Sequence, residues 1–155
     1  MRSACEAPLR FWYGKLRLPP QSTPSWYQDR LREELQERRL AKVPWQKLSE
    51  MSDVLFAITR ARYDVILAIA PKLPFIFAPR YVFVYTYMLA KYTSRWMFYR
   101  TAAIICNAPR WDLVCEVVNP SKDHKLEEVA SRHRMDPAKF RRVCRQLWRL
   151  WPRLP

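Results

Sequence analysis

One glycine, Gly14, stands against thirteen prolines in this chain of 155 residues. Glycine supplies the positive-φ positions of tight hairpin turns and the close backbone approach of phosphate-cradling loops. Asn-Gly and Gly-Gly turns are missing, and glycine-rich phosphate loops and dinucleotide fingerprints are excluded outright. Helices punctuated by proline remain the available architecture. Half the residues are apolar and 14% are aromatic, enough for a core and far from a disordered composition. The expected fold is all-α, a single compact helical domain of about five to seven helices over 25–155. An irregular N-terminal arm, residues 1–24, is expected to precede it and to end in Leu18-Pro-Pro-Gln-Ser-Thr-Pro24.

Periodicity divides the rest. A first helix is expected from Ser25, with an apolar stripe of Tyr27, Leu31 and Leu35 and an outward pair of Glu34 with Arg38. Pro44 suits a first helical position, and Trp45, Leu48, Met51, Leu55 and Ile58 then recur at core spacing. After Asp64 an apolar run reaches Ala70, and Pro71, Pro74 and Pro79 turn the next stretch into a hydrophobic packed loop. The longest helix is expected over Tyr81 to Cys106, either unbroken or kinked inside. A short helix follows over Arg110 to Val118. Ser121 to Lys125 is a polar connection into two C-terminal helices.

The formal net charge is +14, unevenly spread. Residues 25–64 hold eight basic and seven acidic residues. The stretch 65–100 holds Lys72, Arg80, Lys91, Arg95 and Arg100 with no acid, and 121–155 holds ten basic and four acidic residues. Two separated basic regions suit a nucleic-acid or anionic-lipid surface. In the first, Tyr85, Met88, Tyr92, Trp96 and Tyr99 form a stripe at helical spacing beside Lys91 and Arg95. Such a stripe reads first as core. A single-stranded RNA platform and a membrane-interface surface are the alternatives.

Cys5, Cys106, Cys115 and Cys144 contain no CxxC pair, which suits a reducing compartment. Cys106, Cys115, His124 and His133 are spaced by nine, but nine residues are two and a half helical turns and point successive ligands apart; no metal is expected. Residues 1–18 lack the apolar core of a secretory signal, and their basic residues fit a mitochondrial presequence weakly. The uncharged, largely apolar run Tyr81 to Ala90 is short of the roughly 20 residues a bilayer span needs. The expected setting is intracellular, nucleus or mitochondrion.

The most directive segment is Leu126 to Trp151. Val129, Ala130, Met135, Phe140 and Val143 fall where helix-turn-helix units place their apolar residues, with Asp136 and Pro137 as start signals for the second helix. The segment resembles such a unit over about twenty residues, departing at Arg134, where these motifs place a glycine. The resemblance implies a second helix against a groove, contacting through Lys139, Arg141, Arg142 and Arg145, with Arg149 further along and Gln146 the only amide. Trp148, Leu150, Trp151 and Leu154 beside the arginines also suit an interfacial anchor. Separately, Trp26-Tyr-Gln-Asp-Arg-Leu-Arg-Glu-Glu-Leu35 and the stretch Leu48 to Tyr63 resemble small basic proteins of filamentous fungi with no known activity.

Catalytic constellations are not visible. Ser121, Asp123 and His124 share a loop rather than a triad pattern, and Glu33, Glu34 and Glu37 are placed to pair with bases. Nothing marks an activated cysteine; Cys144 beside Arg145 suits at most mild nucleophilicity. The leading expectation is therefore a non-enzymatic protein that binds nucleic acid through Lys139, Arg141, Arg142, Arg145, Arg149, Lys91 and Arg95, without a cofactor or small-molecule substrate. The alternative is a helical adaptor that meets a protein assembly or anionic membrane through the aromatic, proline-rich stretch 71–99.

Overall fold

A computed structural model describes residues 6–21, 23–64 and 78–154. The loop expected at Pro71, Pro74 and the intervening residues, with Phe75, lies outside the described residues, as does the apolar run 65–70. The fold is all-α: α1 Ala7–Leu16, α2 Pro24–Leu40, α3 Pro44–Tyr63, α4 Pro79–Ile105, α5 Asp123–Arg132 and α6 Pro137–Leu150, with one 3-10 turn at Trp111–Leu113. No strand occurs among the described residues.

Proline sets where these helices begin. α2, α3, α4 and α6 start on a proline, and α1 carries Pro8 in its first turn. A helix start leaves its first N–H groups unpaired in any case, so the missing donor costs nothing there and the fixed φ is already helical. Helix ends show the opposite economy. Arg17, Asn107 and Arg134 have φ of 50°, 57° and 54°, the left-handed region that glycine favours. With Gly14 inside α1, these side chains take the role instead.

Two compact units form, one from residues up to Ala90 and one from Lys91 to Leu154, with α4 contributing to each. In the first, α2 and α3 make a helical hairpin across the three residues 41–43. α1 packs on α3, and this corrects the expected irregular arm. Leu9, Tyr13 and Leu16, spaced four and three apart, bury one helical face. The Tyr13 hydroxyl donates to the Phe56 carbonyl (3.2 Å) and lies 2.6 Å from Thr59 Oγ1. Beyond α1, Arg60 ties the irregular segment down. Its Nη2 donates to the carbonyls of Leu18 (3.0 Å) and Pro19 (2.5 Å), and its Nε bonds Asp64 at 2.8 Å.

In the second unit, α6 and α5 cover the last four turns of α4. Phe98, Tyr99, Ala102, Val129, Ala130 and Phe140 have no exposed surface. Phe98 meets Trp148 and Trp151 edge-on with centroids at 5.4 and 5.5 Å, and Trp151 Nε1 donates to Ser94 Oγ at 2.9 Å. The helix expected over Arg110 to Val118 is reduced to the single turn Trp111–Leu113. Val114 is buried in the core, while the Arg100 guanidinium takes the carbonyls of Asp112 (2.5 Å) and Val114 (3.2 Å), drawing that backbone away from helical pairing.

A second correction concerns Glu34, which does not face outward toward Arg38. It is 1% exposed in the hairpin, ion-paired with Arg30, and its Oε2 has no hydrogen-bond partner. Oxygens of Glu34, Glu50 and Asp53 lie within 4.8 Å of one another. Burial lifts the Glu34 carboxyl to about 7; Arg30 opposes this, and Asp53, Glu37 and Glu50 add to it. A carboxyl raised in the folded state favours the protonated form. Its stabilising contribution is therefore present below the unfolded value of 4.5 and lost as pH rises through about 7. Denaturant unfolding should show the wild type losing stability across that interval. Glu34→Gln should flatten the dependence and gain about 1–2 kcal/mol above neutrality. An unchanged pH profile in the variant would remove Glu34 from the account.

Candidate nucleic-acid interface

α5, a tight turn and α6 build the candidate surface. The turn closes with a paired set of backbone bonds. Met135 N–H donates to Ala130 O at 2.9 Å, and Arg134 N–H donates to Ser131 O at 3.3 Å. Arg134 supplies the left-handed residue between them, and Met135 is buried beside Ala130. Asp136 then caps α6, its Oδ1 accepting from Lys139 N–H at 2.7 Å, and Pro137 takes the first helical position. Below the turn, buried Glu116 accepts from Arg132 Nη1 at 2.5 Å and lies 3.1 Å from His133 Nε2, which fixes the end of α5.

The inward face of α6 decides which way its cations point. Phe140 and Cys144 are buried, and Val143, Leu147, Trp148 and Trp151 pack against the same core. At about 100° per residue, Arg142, Arg145 and Arg149 fall within about 60° of one another on the opposite side. Lys139 and Arg141 flank this arc on either edge. Lys139, Arg142, Arg145 and Arg149 are exposed and Arg141 is half-buried. Five cations therefore share one outward face, held by a helix that cannot rotate without exposing Phe140.

Their environments differ. Arg141 Nη1 bonds Glu127 Oε1 at 2.8 Å. Arg145 holds Asp123 through Nε to Oδ1 at 3.3 Å and a second contact from Nη2 to Oδ2. Hydrogen bonding from Arg145 keeps the Asp123 carboxyl below its ordinary value, and Arg145 is raised in return. Lys139 Nζ lies 3.4 Å from the Cys106 carbonyl. Arg142 and Arg149 have no carboxylate partner among the described residues.

Lys91 and Arg95 do not join this surface. They are 1% and 9% exposed, on the side of α4 that carries Met88, Phe98 and Ala102. Arg95 lies 5.4 Å from the Tyr92 ring centroid and donates from Nη1 to Val117 O at 3.5 Å. The stripe Tyr85, Met88, Tyr92 and Tyr99 is buried with them, so the aromatic spacing marks core. A surface stacking role for Lys91 and Arg95 is thereby corrected: cations packed among these rings cannot follow an external phosphate chain. Arg100 is likewise engaged, 4.1 Å from the Trp96 ring centroid and 5.8 Å from that of Trp111.

Cys144 is no activated thiol. It points inward while Arg145 points out, and burial pushes its ionisation up to about 12. A cleft in the first unit, lined by Glu6, Arg10, Tyr13, Thr59, Arg62 and Tyr63, has about 20 Å³ of room, enough for a water or two. A further cation borders the α6 surface. Arg134 is exposed at the turn, where the expectation of glycine drew attention to the backbone rather than the charge.

Comparison with protein-family models, curated proteins and solved structures finds no match to this chain. Because Arg134 holds a left-handed conformation at a steric cost, Arg134→Gly should stabilise the protein by about 0.5–1 kcal/mol, read as a raised denaturation midpoint. A lowered midpoint would show that the guanidinium contributes more than the backbone strain costs.

Proposed function

We propose that this protein binds nucleic acid, RNA or DNA, through the outward face of α6, and carries no catalytic activity of its own. The observation that supports this most directly is the pair Arg142 and Arg149, exposed and without a carboxylate partner among the described residues. They stand two turns apart, about 10 Å along the axis, on a helix anchored by Phe140. Lys139 and Arg134 extend the same basic area toward the turn. The likeness of α5 and α6 to a helix-turn-helix unit supports the reading, because such units present their second helix to a groove. Arginine and lysine dominate the face, with Gln146 the one amide, so contacts go to phosphates more than to base edges. The setting is intracellular, nuclear or mitochondrial, where such polymers are found.

Binding of a labelled oligonucleotide should weaken steeply with salt. Arg142→Glu with Arg149→Glu should reduce affinity at least about tenfold and flatten the salt dependence by about two phosphate contacts. If affinity and salt slope both survive this double reversal, the reading fails.

A second reading, a helical adaptor, has one observation in its favour. Met97, Ile104 and Ile105 are each about half exposed along one side of α4, with Thr101 between them. An apolar helix face of this kind suits a protein assembly or an anionic membrane surface. Association with a partner or with anionic vesicles should then persist at high salt and disappear in Met97→Asp with Ile104→Asp. Retention of binding in that variant would eliminate the adaptor.

A further inference from the structure

We propose that Asp123 and Glu127 of α5 form a built-in brake on the basic face of α6, competing with nucleic-acid phosphates for Arg145 and Arg141. This rests on the reading of α6 as a polyanion surface.

The argument starts from register. Asp123 and Glu127 are four residues apart on α5, and Arg141 and Arg145 are four apart on α6, so each pair stands one turn apart on one side of its helix. The two ion pairs match across the helices: Glu127 with Arg141 at 2.8 Å, and Asp123 with Arg145 through two contacts. All four side chains stay substantially exposed, between 39% and 57%. Ion pairs in such contact with water are weak and exchangeable. A phosphate presents the same paired oxygen acceptors to a guanidinium as a carboxylate does.

Two of the five cations on α6 are therefore already occupied in the unbound protein. A phosphate chain approaching Arg142 and Arg149 meets two anions at its flank. It must either leave Arg141 and Arg145 to their carboxylates or displace Glu127 and Asp123. Either course lowers the number of phosphates neutralised per molecule bound, and so lowers both affinity and salt dependence. The device attenuates binding without hiding Arg142 or Arg149. It favours a polymer, whose many phosphates can compete with the carboxylates, over isolated small anions.

The test compares wild type with Asp123→Asn plus Glu127→Gln on a short labelled DNA duplex across a salt series. Removal of the brake should tighten binding about tenfold near 0.1 M salt and steepen the logarithmic salt slope by roughly 0.9 for each phosphate gained, about 2 in all. Asp123 is the first residue of α5, where a negative charge also stabilises the helix start. Glu127→Gln alone therefore serves as the second variant, and should give about half the gain. Asp29→Asn plus Glu33→Gln on α2 changes the net charge equally and should leave the slope unchanged. Equal slopes for wild type and both brake variants would overturn the proposal, as would an equal gain in the α2 control, which would mark the effect as long-range charge. If wild type binds and loses binding in Arg142→Glu plus Arg149→Glu while the brake variants change nothing, the surface stands and the brake falls. If none of the proteins binds, both fall.

Discussion

The burial of Phe140 against Tyr99 and Phe98 is the contact on which the C-terminal unit depends. The Phe140 and Tyr99 rings stack with centroids 6.4 Å apart, and both side chains are wholly enclosed. Removing a fully buried phenylalanine ring costs about 3–5 kcal/mol, a large share of the stability of any domain this size. That single constraint orients α6. Once Phe140 and Cys144 face inward, the helical repeat leaves Arg142, Arg145 and Arg149 no direction but outward. Ordered cations are thus a by-product of apolar packing. No ion pair would fix them as firmly, because exposed ion pairs are individually weak.

Formal charge is a poor guide to what this protein presents to its surroundings. Of the cations behind the value of +14, Lys91, Arg95 and Arg60 are buried, and Arg100 is held between two indole rings and two carbonyls. Arg62 is paired with Glu6 at 2.5 Å, and Arg132 is bound to Glu116. Exposed cations without a carboxylate partner among the described residues nonetheless remain on both units, including Arg38, Arg39 and Lys42 near the end of α2 and Arg142 and Arg149 on α6. Burial and pairing thus subtract part of a diffuse compositional signal, and the register of α6 aligns part of what is left.

Helix limits were legible in the sequence to the extent that proline wrote them. Pro44 and Pro137 mark their places by residue type alone, and Asp136 caps α6 by accepting from Lys139 N–H. The failures have identifiable physical causes. α1 is not legible in the sequence, because its three inward residues, Leu9, Tyr13 and Leu16, sit among bases and aromatics that suggest an irregular arm. The burial of Lys91 and Arg95 is not legible in the sequence, because a helix without acids gives no polar contrast to mark its outer face. Periodicity locates a stripe, and only packing says which neighbours of that stripe go inward with it. Glu34 suggests a solvated position, because carboxylates are normally solvated; its burial depends on where α3 brings Glu50 and Asp53. The ion pairs of α6 with α5 were invisible for the same reason, since they depend on how two helices register.

The exposed apolar side chains of α4 have a consequence for how copies of this molecule meet one another. At low ionic strength a strongly positive surface repels its own kind at distances beyond the reach of Met97 or Ile104. The repulsion shrinks with the screening length, from about 10 Å at 0.1 M to about 3 Å at 1 M. Apolar contact is not screened in this way. Salt therefore pulls the protein in two opposed directions. It loosens any hold on a polyanion, and it removes the barrier that keeps these greasy helix sides from finding each other.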